Sequence, residues 1–194
     1  MVSSERDNTV SVIAAVGTSK SGKTTTLEYL ISRLSAEGYR IGAIKHIHRE
    51  NFTIDREGTN TWRYAKAGSK VIVAVSPQEI AILKRTEAAL DDLDQVIELL
   101  KREHLEIIFI EGFHSKIAKR LDIPKIVTAV DESNLRSTLE GTVEPILAVT
   151  GVISQGKSVI SWLKVPILSL ETDGEQLLRF VKNYVREQEE KDST

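Results

Sequence analysis

Cysteine is absent from the 194 residues, which excludes a disulfide framework, a thiolate metal centre and a cysteine nucleophile together. Aromatic residues make up only 5% of the chain. Trp62 and Tyr64, which flank Arg63, are therefore expected to pack rather than to form a base-stacking platform. No charge of one sign dominates: 26 Lys and Arg stand against 28 Asp and Glu, a formal net charge of −2. No basic field draws the protein to nucleic acid or to an anionic membrane. Long hydrophobic runs are missing too. Val10 to Val16 and Val71 to Val75 fall far short of the roughly 18 residues that a spanning helix needs. The opening Met-Val-Ser-Ser-Glu-Arg-Asp-Asn has more acid than base and does not resemble a secretory leader. A cytoplasmic setting without nucleic-acid or membrane partners is expected.

With 41% hydrophobic and 28% charged residues, the composition is that of a globular protein able to bury a core. A prior of about 150 residues per domain predicts one nucleotide-binding domain over 10–185, between a flexible segment at 1–9 and a polar, fraying tail at 186–194. Val10 to Val16, apolar almost throughout, and Ile107 to Ile110, continuously apolar, read as strands buried on both faces of a parallel sheet, and Arg40 to Ile44 reads as a second strand between them in the chain. Lys125 to Val130, Ile146 to Val149 and Ile167-Leu168 are read as further short strands. Leu27, Leu30, Ile31 and Leu34 mark one face of a helix with a stop at Gly38. Leu90, Leu93, Ile97 and Leu100 mark another, with Asp91 and Asp92 at its electropositive start. A long polar loop from Lys45 to Gly58 leads to a short helix ending near Gly68. Ser76-Pro77-Gln78 splits Lys70–Val75 from Glu79–Leu83, as in an antiparallel pair. A last helix is predicted to open on a capping box, Thr172-Asp-Gly-Glu175. Strands alternating with helices predict an α/β fold, a mostly parallel sheet flanked by helices with an added β-hairpin.

One motif carries chemistry. Gly17-Thr18-Ser19-Lys20-Ser21-Gly22-Lys23-Thr24 satisfies G-x-x-x-x-G-K-[ST] between a buried strand and an amphipathic helix, the context in which successive backbone N–H groups cradle phosphate. Lys23 is expected to reach the β- and γ-phosphates and to act in catalysis, Thr24 to ligate Mg²⁺, and Thr25 to assist. The partner carboxylate belongs at the end of a nearby strand, which points to Glu111 as metal-side and catalytic residue, with Asp55 as a second metal-side acid. Lys20 adds local charge, and Arg56 and Arg63 are candidates to stabilise phosphate charge. His46 and His48 have strand spacing and suit hydrogen-bonded or phosphate-side roles. His104 reads as surface at a helix end.

Taken in order, the P-loop, Ile44-Lys45-His46, Asp55, Gly58-Thr-Asn-Thr-Trp-Arg63, Ala67-Gly68, Glu111-Gly112-Phe113 and Pro124-Lys125-Ile126 resemble the molybdopterin-guanine dinucleotide biosynthesis protein B family, over roughly residues 10 to 185. The resemblance implies a homodimer that binds GTP with Mg²⁺, hydrolyses it weakly, and works as an adaptor to the guanylyltransferase that attaches GMP to molybdopterin. Molybdopterin and molybdoenzyme apoproteins are implied as further partners. It carries phosphate binding to Gly22, Lys23 and Thr24, a Mg²⁺-side role to Glu111 and Asp55, and motif positions of undetermined role to Lys45, His46 and Arg63. Two departures stand out. Gly58-Thr59-Asn60-Thr61 replaces the usual Gly-Lys-Asp-Ser, and His114 replaces the lysine of Glu-Gly-Phe-Lys. An Asn-Lys-x-Asp element, the usual reader of the guanine edge, is missing. A P-loop small-molecule kinase and a metal-insertion GTPase using His46, His48 and His114 are the competing readings.

Overall fold

The run from Ser11 forms a strand because its branched and small apolar residues suit a sheet covered on both sides. The computed structural model describes residues 10–49, 51–85, 92–156 and 160–192. The chain divides into two compact units, Met1–His46 with Leu93–Thr194, and Ile47–Asp92. The smaller unit is thus an insertion within the span assigned from composition to one domain.

The larger unit contains β1 (Ser11–Val16), α1 (Lys23–Ala36), β2 (Ile41–Lys45), α3 (Leu93–Glu98), β5 (Ile107–Glu111), α4 (His114–Ile117), β6 (Lys125–Thr128), α5 (Glu132–Leu139), β7 (Ile146–Thr150) and α6 (Leu170–Asp192). The smaller contains α2 (Asn60–Lys66), β3 (Val71–Val75) and β4 (Ile80–Lys84). The main sheet runs β2-β5-β1-β6-β7, and every pairing in it is parallel. Chain direction therefore places the carboxyl ends of all these strands at one edge, with β1 central.

The two-residue period of a strand divides the core into two layers. Ile13 and Ala15 of β1, with Ile107 and Phe109 of β5, pack with Leu27, Leu30 and Leu34 of α1 and Leu177, Leu178, Val181 and Val185 of α6. Their neighbours Ala14, Val16, Ile108 and Ile110 pack on the opposite side with Leu93 and Ile97 of α3, Ile117 of α4 and Leu135 of α5. The predicted mostly parallel α/β sheet and the antiparallel pair are both present.

Several boundaries differ for local reasons. Leu90 and Asp91, placed by periodicity in a helix, lie outside the described residues, and α3 begins at Leu93. Ile167-Leu168 is not a strand; Ile167 makes an isolated parallel bridge to Val149. The last helix starts before the proposed capping box. Its first turn is tied by Asp173, whose carboxylate accepts from the Ser169 N–H at 3.1 Å and the Thr172 hydroxyl at 2.9 Å. It then continues to Asp192, beyond the Arg186 at which polarity alone starts a tail. Helix α5 escapes the periodicity because it is only 8 residues long; its start is capped by Asp131, which accepts from the Asn134 N–H at 2.8 Å.

In the smaller unit, Thr59 caps α2 by accepting from the Trp62 N–H at 3.3 Å. The hairpin pairs Val73 with Ile82 and Val75 with Ile80 across a turn closed by the Ser76 N–H donating to the Glu79 carbonyl at 2.8 Å. Ile72 is buried, whereas Val71, Val73, Val75, Ile80 and Ile82 are between 52% and 74% exposed. One hairpin face is thus an apolar surface open to solvent.

Candidate functional site

The carboxyl edge of the sheet is built around the loop from Gly17 to Gly22, which follows β1 directly. Glycine is required at position 17. Its φ is +153°, and a Cβ there would overlap the Thr128 carbonyl and hydroxyl oxygens and lie 2.8 Å from the Ser21 hydroxyl. Gly22 occupies the cap position of α1 with φ 110° and offers no side-chain cap, and no acidic residue stands in the first turn. The leading N–H groups and the positive end of the helix dipole are therefore left for an external anion.

Lys23 opens α1 and folds its ammonium over the loop, donating to the Gly17 carbonyl at 3.0 Å and to the Thr18 carbonyl. Partial burial holds its pKa below the ordinary lysine range; the Lys45 charge acts the same way, and Glu111 opposes both. The Thr24 hydroxyl lies 3.1 and 3.0 Å from the two Glu111 carboxylate oxygens, and the Lys45 ammonium pairs with the same carboxylate. Strand geometry explains the convergence. Glu111 has the parity of Ile107 and Phe109, so it faces the α1 side, and Lys45 is its register partner in the β2–β5 pairing. Glu111 is only 8% exposed, so its carboxylate is held by these donors rather than by bulk water. A carboxylate and a hydroxyl converging beneath a phosphate-type loop are hard oxygen donors of the kind Mg²⁺ takes.

Structure brings together Gly17, Thr18, Ser21, Gly22, Lys23, Thr24, Lys45 and Glu111. Ser19, Lys20 and Thr25 are exposed on the same loop and first turn. His46 follows β2, and its ring stacks on Phe113 with centroids 4.2 Å apart. His114 starts α4; desolvation first and the nearby Lys23 charge second push its pKa down. His104 ends a short 3-10 turn and is exposed, as expected.

Asp55, Arg56, His48 and Arg63 belong to the smaller unit. There Asp55 Oδ1 accepts from the Thr59 hydroxyl at 3.1 Å, the Thr61 hydroxyl at 2.8 Å and the Arg56 N–H at 3.0 Å, and Arg85 approaches the other oxygen at 3.9 Å. The threonines of the unusual Gly-Thr-Asn-Thr segment therefore organise this loop around a buried carboxylate. Arg63 lies exposed in the last turn of α2. No group of three or more His, Asp or Glu able to hold a metal ion occurs among the described residues.

Three contributors escaped sequence reasoning. Thr128 ends β6, where its hydroxyl lies 2.6 Å from that of Ser21. Asn134 of α5 accepts from the Thr18 hydroxyl at 3.2 Å. Gly151, after β7, brings its backbone against the loop, and the Val152 N–H donates to the Ser21 carbonyl at 3.3 Å. No local spacing marks these three, because their partners in the loop lie more than 100 residues away along the chain.

The chain is thus an α/β protein whose parallel sheet carries a glycine loop and a Thr24–Glu111–Lys45 cluster at its carboxyl edge. The family model for "Molybdopterin guanine dinucleotide synthesis protein B" matches residues 12–151, and the chain belongs to that family. It is 30% identical over 180 residues to the molybdopterin-guanine dinucleotide biosynthesis adapter protein of Escherichia coli, covering 92% of this chain and 95% of that protein. It is 35% identical over 121 residues to the adapter protein of Haemophilus influenzae, where the match covers 62% of this chain and 64% of the relative. The match to a Methanocaldococcus jannaschii relative spans 48% of that protein's length. Among solved structures, Bacillus subtilis MobB superposes with a TM-score of 0.71 at 23% identity over 90% of this chain and 97% of that one, a likeness of fold. No helix among the described residues is long and apolar enough to cross a membrane.

Proposed function

We propose that this chain binds GTP with Mg²⁺ on the Gly17–Thr24 loop and serves as an adaptor to the guanylyltransferase that attaches GMP to molybdopterin, hydrolysing GTP only slowly. The observation that carries the reading is the Thr24–Glu111–Lys45 cluster beside Lys23 at the carboxyl edge of the sheet. The loop N–H groups and the start of α1 would hold the phosphates, and Lys23 would exchange its two carbonyl partners for phosphate oxygens. Thr24 and Glu111 would hold Mg²⁺, which supplies charge neutralisation on the β- and γ-phosphates. Lys45, paired with the Glu111 carboxylate, would hold it turned toward Thr24.

Guanine selectivity and the enzyme partner are carried over from the family, and a cytoplasmic setting is proposed with them. A homodimer is proposed on the same basis, supported by the solvent-exposed apolar face of the β3–β4 hairpin, whose branched side chains suit a second copy of themselves. The primary test is a titration of labelled GTP and ATP with Mg²⁺ on the wild type and Lys23→Ala. Preference for GTP, weakened at least about tenfold in the variant, is the expected result. Absence of guanine-nucleotide binding overturns the reading, and preference for ATP with transfer to an acceptor other than water replaces it with a kinase.

A further inference from the structure

We infer that Thr128 is a positioning residue for the phosphate loop, acting through Ser21 to fix the loop's backbone before any nucleotide arrives. The inference rests on the phosphate-loop reading and concerns how the loop attains its shape. Thr128 and Ser21 are both fully buried, and their hydroxyl oxygens are 2.6 Å apart although 107 residues separate them. Ser21 Oγ is also 2.8 Å from the Thr18 carbonyl, while Thr128 Oγ1 is 3.3 Å from the Val16 carbonyl.

Each hydroxyl has one proton to donate. The two shortest links are satisfied together only if Thr128 donates to Ser21 and Ser21 donates to Thr18. That relay runs from the end of β6 into the loop and draws the Thr18 carbonyl toward the sheet. Because a trans peptide sets its N–H opposite its carbonyl, the Ser19 N–H is turned the other way. The relay also occupies the space a side chain at position 17 would need: a Cβ on Gly17 would overlap Thr128 Oγ1 and lie 2.8 Å from Ser21 Oγ. The first glycine of the motif and the threonine of β6 are thus two halves of one contact. Thr150 supplies an internal control. It is the register partner of Thr128 on β7, is equally buried, and its hydroxyl has no hydrogen-bond partner among the described residues.

The test combines hydrogen exchange of peptides spanning residues 17–24 in the nucleotide-free protein with Mg²⁺–GTP titration of the same samples. Thr128→Val keeps the side-chain shape but removes the donor. It is expected to speed exchange in the loop and weaken GTP about five- to tenfold, the worth of one ordinary hydrogen bond. Thr128→Ser is expected to restore both to within about twofold, and Thr150→Val to leave both at wild-type values. Ser21→Ala, which breaks the relay from the loop side, should reproduce Thr128→Val, and the double variant should be no worse than either single one. Wild-type exchange and affinity in Thr128→Val, failure of serine to rescue, or additive losses in the double variant overturns the inference. If the wild type binds no guanine nucleotide while exchange follows the expected pattern, the positioning role stands and the GTP reading falls.

Discussion

Gly151→Ala should damage the loop although residue 151 lies outside the phosphate motif, and Gly38→Ala calibrates how much. Both glycines have φ +96°, so the left-handed backbone disfavours alanine equally at each, by about 1–2 kcal/mol. They differ in surroundings. A Cβ at Gly38 meets nothing within 4 Å, whereas at Gly151 it overlaps the Ser21 carbonyl oxygen and lies 3.2 Å from the Ala129 carbonyl oxygen. Backbone cannot swing aside as a flexible side chain can, so Ser21 must shift. Overpacking of this kind costs about 1–3 kcal/mol, and losing the Val152-to-Ser21 hydrogen bond adds about 0.5–1.5 kcal/mol. The Gly151→Ala variant should therefore be roughly 1.5–4.5 kcal/mol less stable than Gly38→Ala, a further drop in Tm of about 3–18 °C for a chain of this size. Urea and thermal unfolding of the two variants measure that difference. GTP titration should show the Gly151 variant at least about tenfold weaker than the Gly38 variant. Equal stability and equal affinity would refute the close approach of Gly151 as a determinant of loop shape.

Asp55→Ala removes the acceptor shared by the Thr61 hydroxyl, the Arg56 N–H and the Thr59 hydroxyl, the last of which keeps the Arg56 carbonyl at 2.7 Å, so urea unfolding followed by Trp62 fluorescence in a Trp162→Phe background should show a loss of about 1–3 kcal/mol; an unchanged midpoint contradicts its organising role. Because burial and the Lys23 charge depress the His114 pKa, the folded state binds fewer protons than the unfolded one between the lowered value and about 6.5. Its contribution is complete above that unfolded value and is lost as pH falls through the folded one, so His114→Gln should flatten the decline of Tm from pH 7.5 to 5.5; parallel declines argue against it. Ile82→Lys places a charge in the middle of the exposed hairpin face and should shift sedimentation from dimer to monomer while GTP affinity holds; a dimer that survives it uses another surface.

The residues legible in sequence are those whose chemistry is local. Strand β1, the glycine loop and the α1 face are adjacent in the chain, and their periods and spacings can be read without any partner. Glu111 is legible as well, because a charged residue closing the apolar Ile107–Ile110 run has only the sheet edge to occupy. Lys45 stands at an intermediate level. Its place at the end of β2 is visible, but its pairing with Glu111 follows only once β2 is known to lie beside β5 in that register. Thr128, Asn134 and Gly151 were illegible because their partners are set by strand order: β6 follows β1 across the sheet, β7 follows β6, and α5 fills the connection between them. The same distinction explains Asp55. An acid in a long loop looks like a free metal-side candidate, yet the hydroxyls at positions 59 and 61 arrive from the start of α2 and engage one of its oxygens. Spacing therefore finds groups that would touch a nucleotide directly. The groups that hold the loop in shape are found only from the sheet, and their placement on β6, on α5 and just after β7 means that substitutions far along the chain from the glycine motif should alter nucleotide binding as strongly as many within it.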